Sequence, residues 1–258
     1  MSLDLFARPA LLFLPASNPR AIAKARESGA DLIVLDLEDA VKAGDKEAAR
    51  AAAVEAVAAD WPMPVAIRVN GAGTAQHDAD LAAALASVCD FIIVPMVDRP
   101  LSISGKPVAA MIETAAGVLA APAIARSVCA LIVGTNDLSN DLRLPTIDRA
   151  ALGMALQSAV LAARATGIAV FDGVHNRLDD PQALAAECAQ GRALGFDGKS
   201  LIHPDQIAAC QVAFAPTATE FARAERLIAA ATGGAERFEG AMIEDMHVES
   251  ARRVLARR

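Results

Sequence analysis

Tyrosine is missing from this chain, tryptophan occurs once, and aromatic residues make up only 3% of it, so its core has to be filled by aliphatic side chains. Hydrophobic residues still reach 54%, mostly Ala, Val, Leu and Ile, as in folds whose helices cover doubly buried strands. Positive charge is in deficit: 24 Lys and Arg stand against 31 Asp and Glu, and a net charge of −7 with scattered basic residues argues against a nucleic-acid partner. The basic tail Arg252–Arg258 could attract an anion, but it reads more simply as a solvated helix end that complements the helix dipole. The four cysteines, Cys89, Cys129, Cys188 and Cys210, form no CxxC pair, and buried reduced thiols are the simplest account. The apolar stretch Ala10–Ala16 is too short to span a membrane and lacks a basic leader, so no membrane partner and a cytoplasmic enzyme are expected.

Motifs are missing too. No GxGxxG follows the first apolar run and no GxxxxGK[ST] occurs, which lowers the odds of a dinucleotide or P-loop fold. His77, His175, His203 and His247 lack metal-binding spacing, and no Ser/His/Asp or Cys/His nucleophile pattern stands out.

Alternation is what the sequence does contain. Strands are predicted at Leu11–Leu14, Leu32–Leu37, Val65–Val69, Phe91–Val94, Val108–Ile112, Leu131–Val133, Ile168–Phe171 and around Phe196–Leu201. Helical patterns fall between most of them, at Pro19–Ser28, Asp45–Ala59, His77–Ser87, Ala115–Ser127, Asp148–Thr166 and Pro181–Leu194, many starting near Asp, Asn or Pro. Between the fourth and fifth strands, Pro100, Ser102, Ser104 and Gly105 do not look helical, so the fourth outer helix is expected to be absent or vestigial. At 258 residues the chain suits one α/β barrel, with an open doubly wound sheet as the competitor. The expected division is a (β/α)8 TIM barrel over residues 1–215, with a shortened fourth β-to-α segment. Residues 216–258 then form a C-terminal helical extension that could contact a neighbouring subunit.

Several strands end in polar residues, and parallel strands present their carboxyl ends on one side. Glu113 and Asp137 would leave adjacent strands at one rim, where two carboxylates can hold a small hard cation, with Mg2+ favoured; a purely structural carboxylate is the alternative. Arg68 ends an apolar strand and should point into the pocket, towards a carboxylate or an enolate-like oxygen, or towards Glu38, Asp39 or Glu113. Glu38 and Asp39 are too dense a carboxylate pair to lack partners, which Lys46 or Arg68 would supply, while Asp36 suits a helix cap. Gly134–Asp137 reads as a compact turn in which Gly134 permits close backbone approach to a ligand. Lys199 is more plausible as a salt-bridge or pocket-edge cation than as a Schiff-base nucleophile.

At these positions the chain resembles the citrate lyase beta subunit-like branch of the HpcH/HpaI aldolase superfamily. The similarity is carried by residues 8–15 (RPALLFLP), 29–41 (GADLIVLDLEDAV) with Lys46 and Arg50, 67–70 (IRVN), 111–118 (MIETAAGV), 134–141 (GTNDLSND) and 195–204 (GFDGKSLIHP). The resemblance implies a (β/α)8 barrel lyase that cleaves or forms a carbon–carbon bond beside a carbonyl, with Mg2+ at Glu113 and Asp137. It makes Arg68 the substrate-binding arginine. Glu38 and Asp39 are candidate substrate-binding residues beside it. The substrates it implies are an oxo acid and an acyl-CoA or acyl-carrier thioester of the citryl, citramalyl or malyl type, and the assembly a homo-oligomer, a trimer or hexamer. The family's carbon acid is an aspartate in a Gly-x-Met-Ile-Asp segment from a neighbouring subunit; here the segment reads GAMIED over residues 240–245, so Glu244 aligns with it. Met96 stands where the family has lysine in a Pro-Lys-Val motif. A class II aldolase acting on free 2-oxo acids, and a catalytically silent ligand-binding member, are the alternatives.

Overall fold

The computed structural model describes residues 3–256, which form two compact units, one running to Ala213 and the other beginning at Phe214. In the first, eight parallel strands close into a barrel in sequence order: β1 (Ala10–Pro15), β2 (Leu32–Asp36), β3 (Val65–Arg68), β4 (Phe91–Val94), β5 (Val108–Ile112), β6 (Ala130–Val133), β7 (Ala169–Asp172) and β8 (Gly198–Leu201). Closure comes from β1 against β8, with Leu11 beside Ser200, and it rules out the open sheet. Alternate strand residues point inward, as the period of two requires, so Leu11, Val34, Phe91, Ile93 and Phe171 fill the interior together with small residues such as Ala66, Ala109 and Ala130. Alanine lets an almost non-aromatic sequence pack a barrel around two phenylalanines.

The outer layer comprises α1 (Pro19–Ala25), α2 (Lys46–Val57), α3 (His77–Ala86), α4 (Ala115–Ile124), α5 (Thr135–Asp141), α6 (Gly153–Thr166), α7 (Pro181–Leu194) and α8 (Ile207–Phe214). Local chemistry sets their ends: Asn18, Thr114 and Asp180 accept N-terminal amides, while Gly167 and Gly195 close α6 and α7 in the left-handed region. No helix joins β4 to β5, as the composition of that connection indicates. The connection instead crosses α4, where a Cβ on Gly117 would come within 2.6 Å of the Val97 carbonyl oxygen, so only glycine fits.

Three expectations change. Residues 134–137 do not form an isolated turn: Thr135–Asp141 is a short helix, so Asp137 sits in its first turn. The sixth helix starts at Gly153 rather than Asp148, because Asp148 Oδ1 accepts the Ala150 N–H in a turn before it. Of the cysteines, all free, Cys129 is only partly buried, packing at the edge of the interior cluster.

The second unit holds α9 (Ala218–Ala230), an antiparallel hairpin of β9 (Glu236–Phe238) and β10 (Ala241–Ile243), and α10 (Asp245–Leu255). The hairpin was not expected from sequence. Its two-residue turn, Glu239-Gly240, takes positive φ at both positions (48° and 85°), and Glu239 is held by Arg226 at 2.7 Å. Ala224, Leu227, Ile243 and Ala251 form a small core of its own. The last two residues of the basic tail lie outside the described residues. Among the described residues no helix is long and apolar enough to cross a membrane.

Candidate active site

Strand ends on the carboxyl side of the barrel enclose a cavity of about 340 Å3, lined by Asp36, Asp39, Arg68, Glu113 and Asp137 and by apolar walls that include Phe13 and Met111. Four of the six singled-out residues, Arg68, Glu113, Asp137 and Asp39, are therefore brought to one place. Glu38 does not line the cavity but touches Arg68, and Glu244 belongs to the second unit, at the start of α10.

Arg68 owes its position to strand register. It pairs with Asp36 across β2 and β3, so the two side chains meet as a fork, with Nε donating to Oδ1 at 2.6 Å and Nη2 to Oδ2 at 2.7 Å. Asp36 also accepts the Glu38 and Ala40 amides, which makes it the clamp of the turn after β2 rather than the cap of α2. Nη1 faces Glu38 Oε2 at 2.7 Å, and the guanidinium carbon lies 5.3 Å from the Phe13 ring centre. Burial works against the arginine's charge, but attraction and hydrogen bonds from Asp36, with attraction from Glu38 and Asp39, together more than offset it, and its pKa stays above the ordinary value. Burial pushes the Glu38 carboxyl up to about 8 in spite of Arg68, with Asp39, Glu113 and Asp36 adding repulsion. Lys46 does not pair with these carboxylates; it donates to the Leu37 and Glu38 carbonyl oxygens and to Asn70 Oδ1, capping carbonyls left open where β2 ends.

Glu113 is almost fully buried. Its Oε1 accepts the Met96 N–H at 2.6 Å, whereas Oε2 has no hydrogen-bond partner among the described residues. Burial pushes its carboxyl up to about 7, against the pull of the Met96 amide and Arg68 and with repulsion from Asp137 and Asp39. Burial also raises the Asp137 carboxyl, with Asp39 adding to it. Gly134 makes room for this arrangement, because a Cβ there would fall on the Glu113 carboxylate. Sequence reading assigned Gly134 to a ligand's approach; its first neighbour is Glu113.

An orphaned, buried carboxylate oxygen beside a second, repelled carboxylate is an arrangement that a divalent cation relieves. The donors are hard oxygens, and among the described residues no three acidic, His or Cys side chains form a closed cage. Two protein carboxylates with open positions suit Mg2+, which keeps waters and takes substrate oxygens, so the residues present fit that ion.

Other polar groups escaped sequence reading. Met96, where a cation would be expected, contributes its backbone amide from a left-handed conformation (φ 54°), so the side-chain exchange leaves its bond to Glu113 untouched. Thr135 and Ser200, each with a buried hydroxyl, line the cavity, and Asn136 and Asn176 pair reciprocally at its mouth, at 2.7 and 3.3 Å. Nothing in the sequence singles these out, since their roles follow from where the backbone sets them. Lys199 is fully buried away from the cavity, paired with Asp172 at 3.2 Å and Glu187 at 3.1 Å.

Comparison with known proteins agrees with this geometry. The family model described as HpcH/HpaI aldolase/citrate lyase matches residues 9–106 and 101–204, two stretches that meet in the helix-free connection after β4. A (3S)-malyl-CoA thioesterase of Cereibacter sphaeroides is 38% identical, covering 96% of this chain and 93% of its own length. A citrate lyase subunit beta-like protein of Deinococcus radiodurans is 34% identical over 97% of this chain and 98% of its own length. Among solved structures, CitE of Mycobacterium tuberculosis in complex with magnesium, acetoacetate and coenzyme A superposes with a TM-score of 0.86 at 31% identity, covering 98% of this chain and 99% of that one. The chain belongs to the HpcH/HpaI aldolase/citrate lyase family.

Proposed function

We propose that the protein is a Mg2+-dependent carbon–carbon lyase that cleaves or forms a short 3-hydroxyacyl thioester of the citryl, citramalyl or malyl type. The observation that carries this reading is the unpartnered Oε2 of Glu113, buried in one cavity with Asp137 and Arg68. Glu113 and Asp137 would hold the ion, and the related CitE structure contains magnesium, an oxo acid and coenzyme A. When bound, Mg2+ would act as a Lewis acid, lowering the pKa of the substrate's hydroxyl and polarising the emerging oxo acid.

The chain's own residues supply the rest. Asp36 fixes the guanidinium plane of Arg68, leaving Nη1 as the edge available to negative charge developing on the thioester enolate oxygen. Glu38 shares that edge, and because burial pushes its carboxyl up to about 8 it competes less for Nη1 than an ordinary carboxylate would. Phe13 and Met111 exclude water from the guanidinium's flank. Carrier recognition falls to a neighbouring groove of about 500 Å3 that shares Phe13, Leu14, Pro15 and Ile202 with the cavity and carries Arg20 and Lys24, cations suited to the phosphates of coenzyme A. Glu244, from a neighbouring copy in a trimer or hexamer, is the proposed acid that protonates carbon, and its N–H donates to His247 Nδ1 at 3.0 Å within its own unit.

Turnover of malyl-CoA should require Mg2+, and Glu113→Gln and Asp137→Asn should abolish it while leaving the circular dichroism spectrum intact. Full activity in excess chelator would sink the proposal. Hydrolysis of the thioester is a second reading, favoured by the malyl-CoA thioesterase at 38% identity. Product analysis separates the two: cleavage of the carbon–carbon bond yields an oxo acid and an intact shorter thioester, whereas hydrolysis releases the free thiol of coenzyme A and a hydroxy acid.

A further inference from the structure

Two hydroxyls of the cavity are not used by the chemistry above. Thr135, the first residue of α5, is 1% exposed and Ser200, on β8, is 2% exposed. Neither Thr135 Oγ1 nor Ser200 Oγ has a hydrogen-bond partner among the described residues, yet both residues line the cavity that contains Glu113. A buried hydroxyl without a partner carries a desolvation cost that valine or alanine would avoid, so its presence marks a place where something polar docks.

Their placement is built. In barrel order β7 lies between the strands that deliver them, and Gly173 follows β7 directly. A Cβ on Gly173 would come within 2.5 Å of Thr135 Cγ2 and Oγ1, so the missing side chain gives Thr135 its space over the end of β7, the strand that separates it from Ser200. Of the other side-chain donors around the cavity, the Arg68 fork is held by Asp36 and its Nη1 edge serves the enolate oxygen in the reading above, and the amides of Asn136 and Asn176 bond each other. A carboxylate entering this space finds two unused side-chain donors, both neutral hydroxyls.

We propose that Thr135 and Ser200 form a hydroxyl pair that hydrogen-bonds the carboxylate of the 2-oxo acid half of the substrate, and so select for an acid there over an aldehyde or amide of the same size. The inference rests on the functional reading above, from which it takes the oxo acid. Neutral donors suit the place, because the cavity is ringed by Asp36, Asp39, Glu113 and Asp137, and a lysine or arginine would pair with these instead of the ligand.

The test uses Thr135→Val and Ser200→Ala in the full chain, with Mg2+ and pyruvate as probes and two readouts of opposite sign. In calorimetric titrations at saturating Mg2+, each substitution should weaken pyruvate binding about tenfold, the worth of one hydrogen bond to a charged group, and leave Mg2+ binding without pyruvate unchanged. Without any ligand, each variant should melt at the wild-type temperature or above it, because an unpaired buried hydroxyl has been removed. Wild-type pyruvate affinity in both variants would overturn the inference, as would lowered ligand-free melting temperatures, which would assign the hydroxyls to the fold. A wild-type protein that binds Mg2+ but no pyruvate also overturns it. Failure of the functional reading is distinguishable, since it shows as absence of Mg2+ binding in the unsubstituted protein.

Discussion

Replacing Asp36 by asparagine tests the central claim about Arg68, that its orientation is set by a buried ionic fork and not by the cavity. Asp36 accepts four hydrogen bonds, from the Glu38 and Ala40 amides and from Nε and Nη2 of Arg68. Asparagine keeps one acceptor oxygen and turns an amide towards donors on the other side, so two of the four bonds are lost and a guanidinium only 8% exposed loses its main counter-charge. Breaking one partner of a buried pair costs about 3–5 kcal/mol. For a chain of this size that is roughly a 10 °C fall in melting temperature, and urea unfolding should show it as a shifted midpoint at constant slope. Arg68→Met, which removes the charge, should suppress much of the cost of Asp36→Asn: the double variant should be more stable than the sum of the singles predicts, by about 2 kcal/mol or more. An Asp36→Asn protein within about 1 kcal/mol of wild type, or a strictly additive cycle, would refute the reasoning. Thioester turnover should fall in the single variant even at temperatures where it is fully folded, because the fork that fixes the guanidinium plane of Arg68 is then broken.

Three further outcomes are expected. Gly134→Ala drives a Cβ into the Glu113 carboxylate, so it should abolish Mg2+ binding measured by calorimetry and lower the melting temperature, and a variant that binds Mg2+ normally would contradict the packing described. The folded protein holds the Glu113 proton more tightly than the unfolded chain does, with a pKa of about 7 against 4.5, so Glu113's contribution to metal-free stability should decline from about pH 5 to pH 7 by roughly 3 kcal/mol. Saturating Mg2+, which favours the ionised form, should oppose that decline, and urea titrations at several pH values, with Glu113→Gln as control, would reveal it. Lys199→Met leaves Asp172 with Arg149 and Glu187 with His175, so it should destabilise the barrel by about 3 kcal/mol in urea while Mg2+ affinity stays unchanged; loss of the metal site would place Lys199 in the cavity after all.

Much of the barrel was legible because periodicity marks buried strands well. Phe91–Val94 and Val108–Ile112 fall where their apolar runs lie, and the missing helix between them shows in Pro100, Ser102, Ser104 and Gly105. Closure was not legible from alternation, which an open sheet shares; it depends on β1 meeting β8. The helix at Thr135–Asp141 was missed because Asn and Asp usually favour caps and turns, and a helix of this length owes its stability to burial of Leu138 rather than to propensity. Glu113, Asp137 and Arg68 could be found as charges interrupting apolar runs. Thr135 and Ser200 could not, since a hydroxyl within a polar rim carries no pattern, and only the lack of a partner in three dimensions distinguishes it.

The barrel has no helix between β4 and β5, beside the site, and the backbone of that connection shows how the site is built without one. The parts of that connection nearest the cavity are held by main-chain bonds: Met96 N–H to Glu113 Oε1 at 2.6 Å and Val97 N–H to the Met111 carbonyl oxygen at 3.2 Å. Gly117 then lets the chain pass close over α4, and Ser127 Oγ receives the Leu101 amide at 3.1 Å. None of these contacts requires a helix after β4 or a cation at position 96. The amide that orients Glu113 comes from Met96, two residues past the end of β4 and before any outer helix would begin, so the geometry of the carboxylate does not depend on a helix there. A glutamate held by backbone on one oxygen and left open on the other does not depend on the side chain at position 96, which is why the candidate metal site can be built in a barrel without an outer helix after β4.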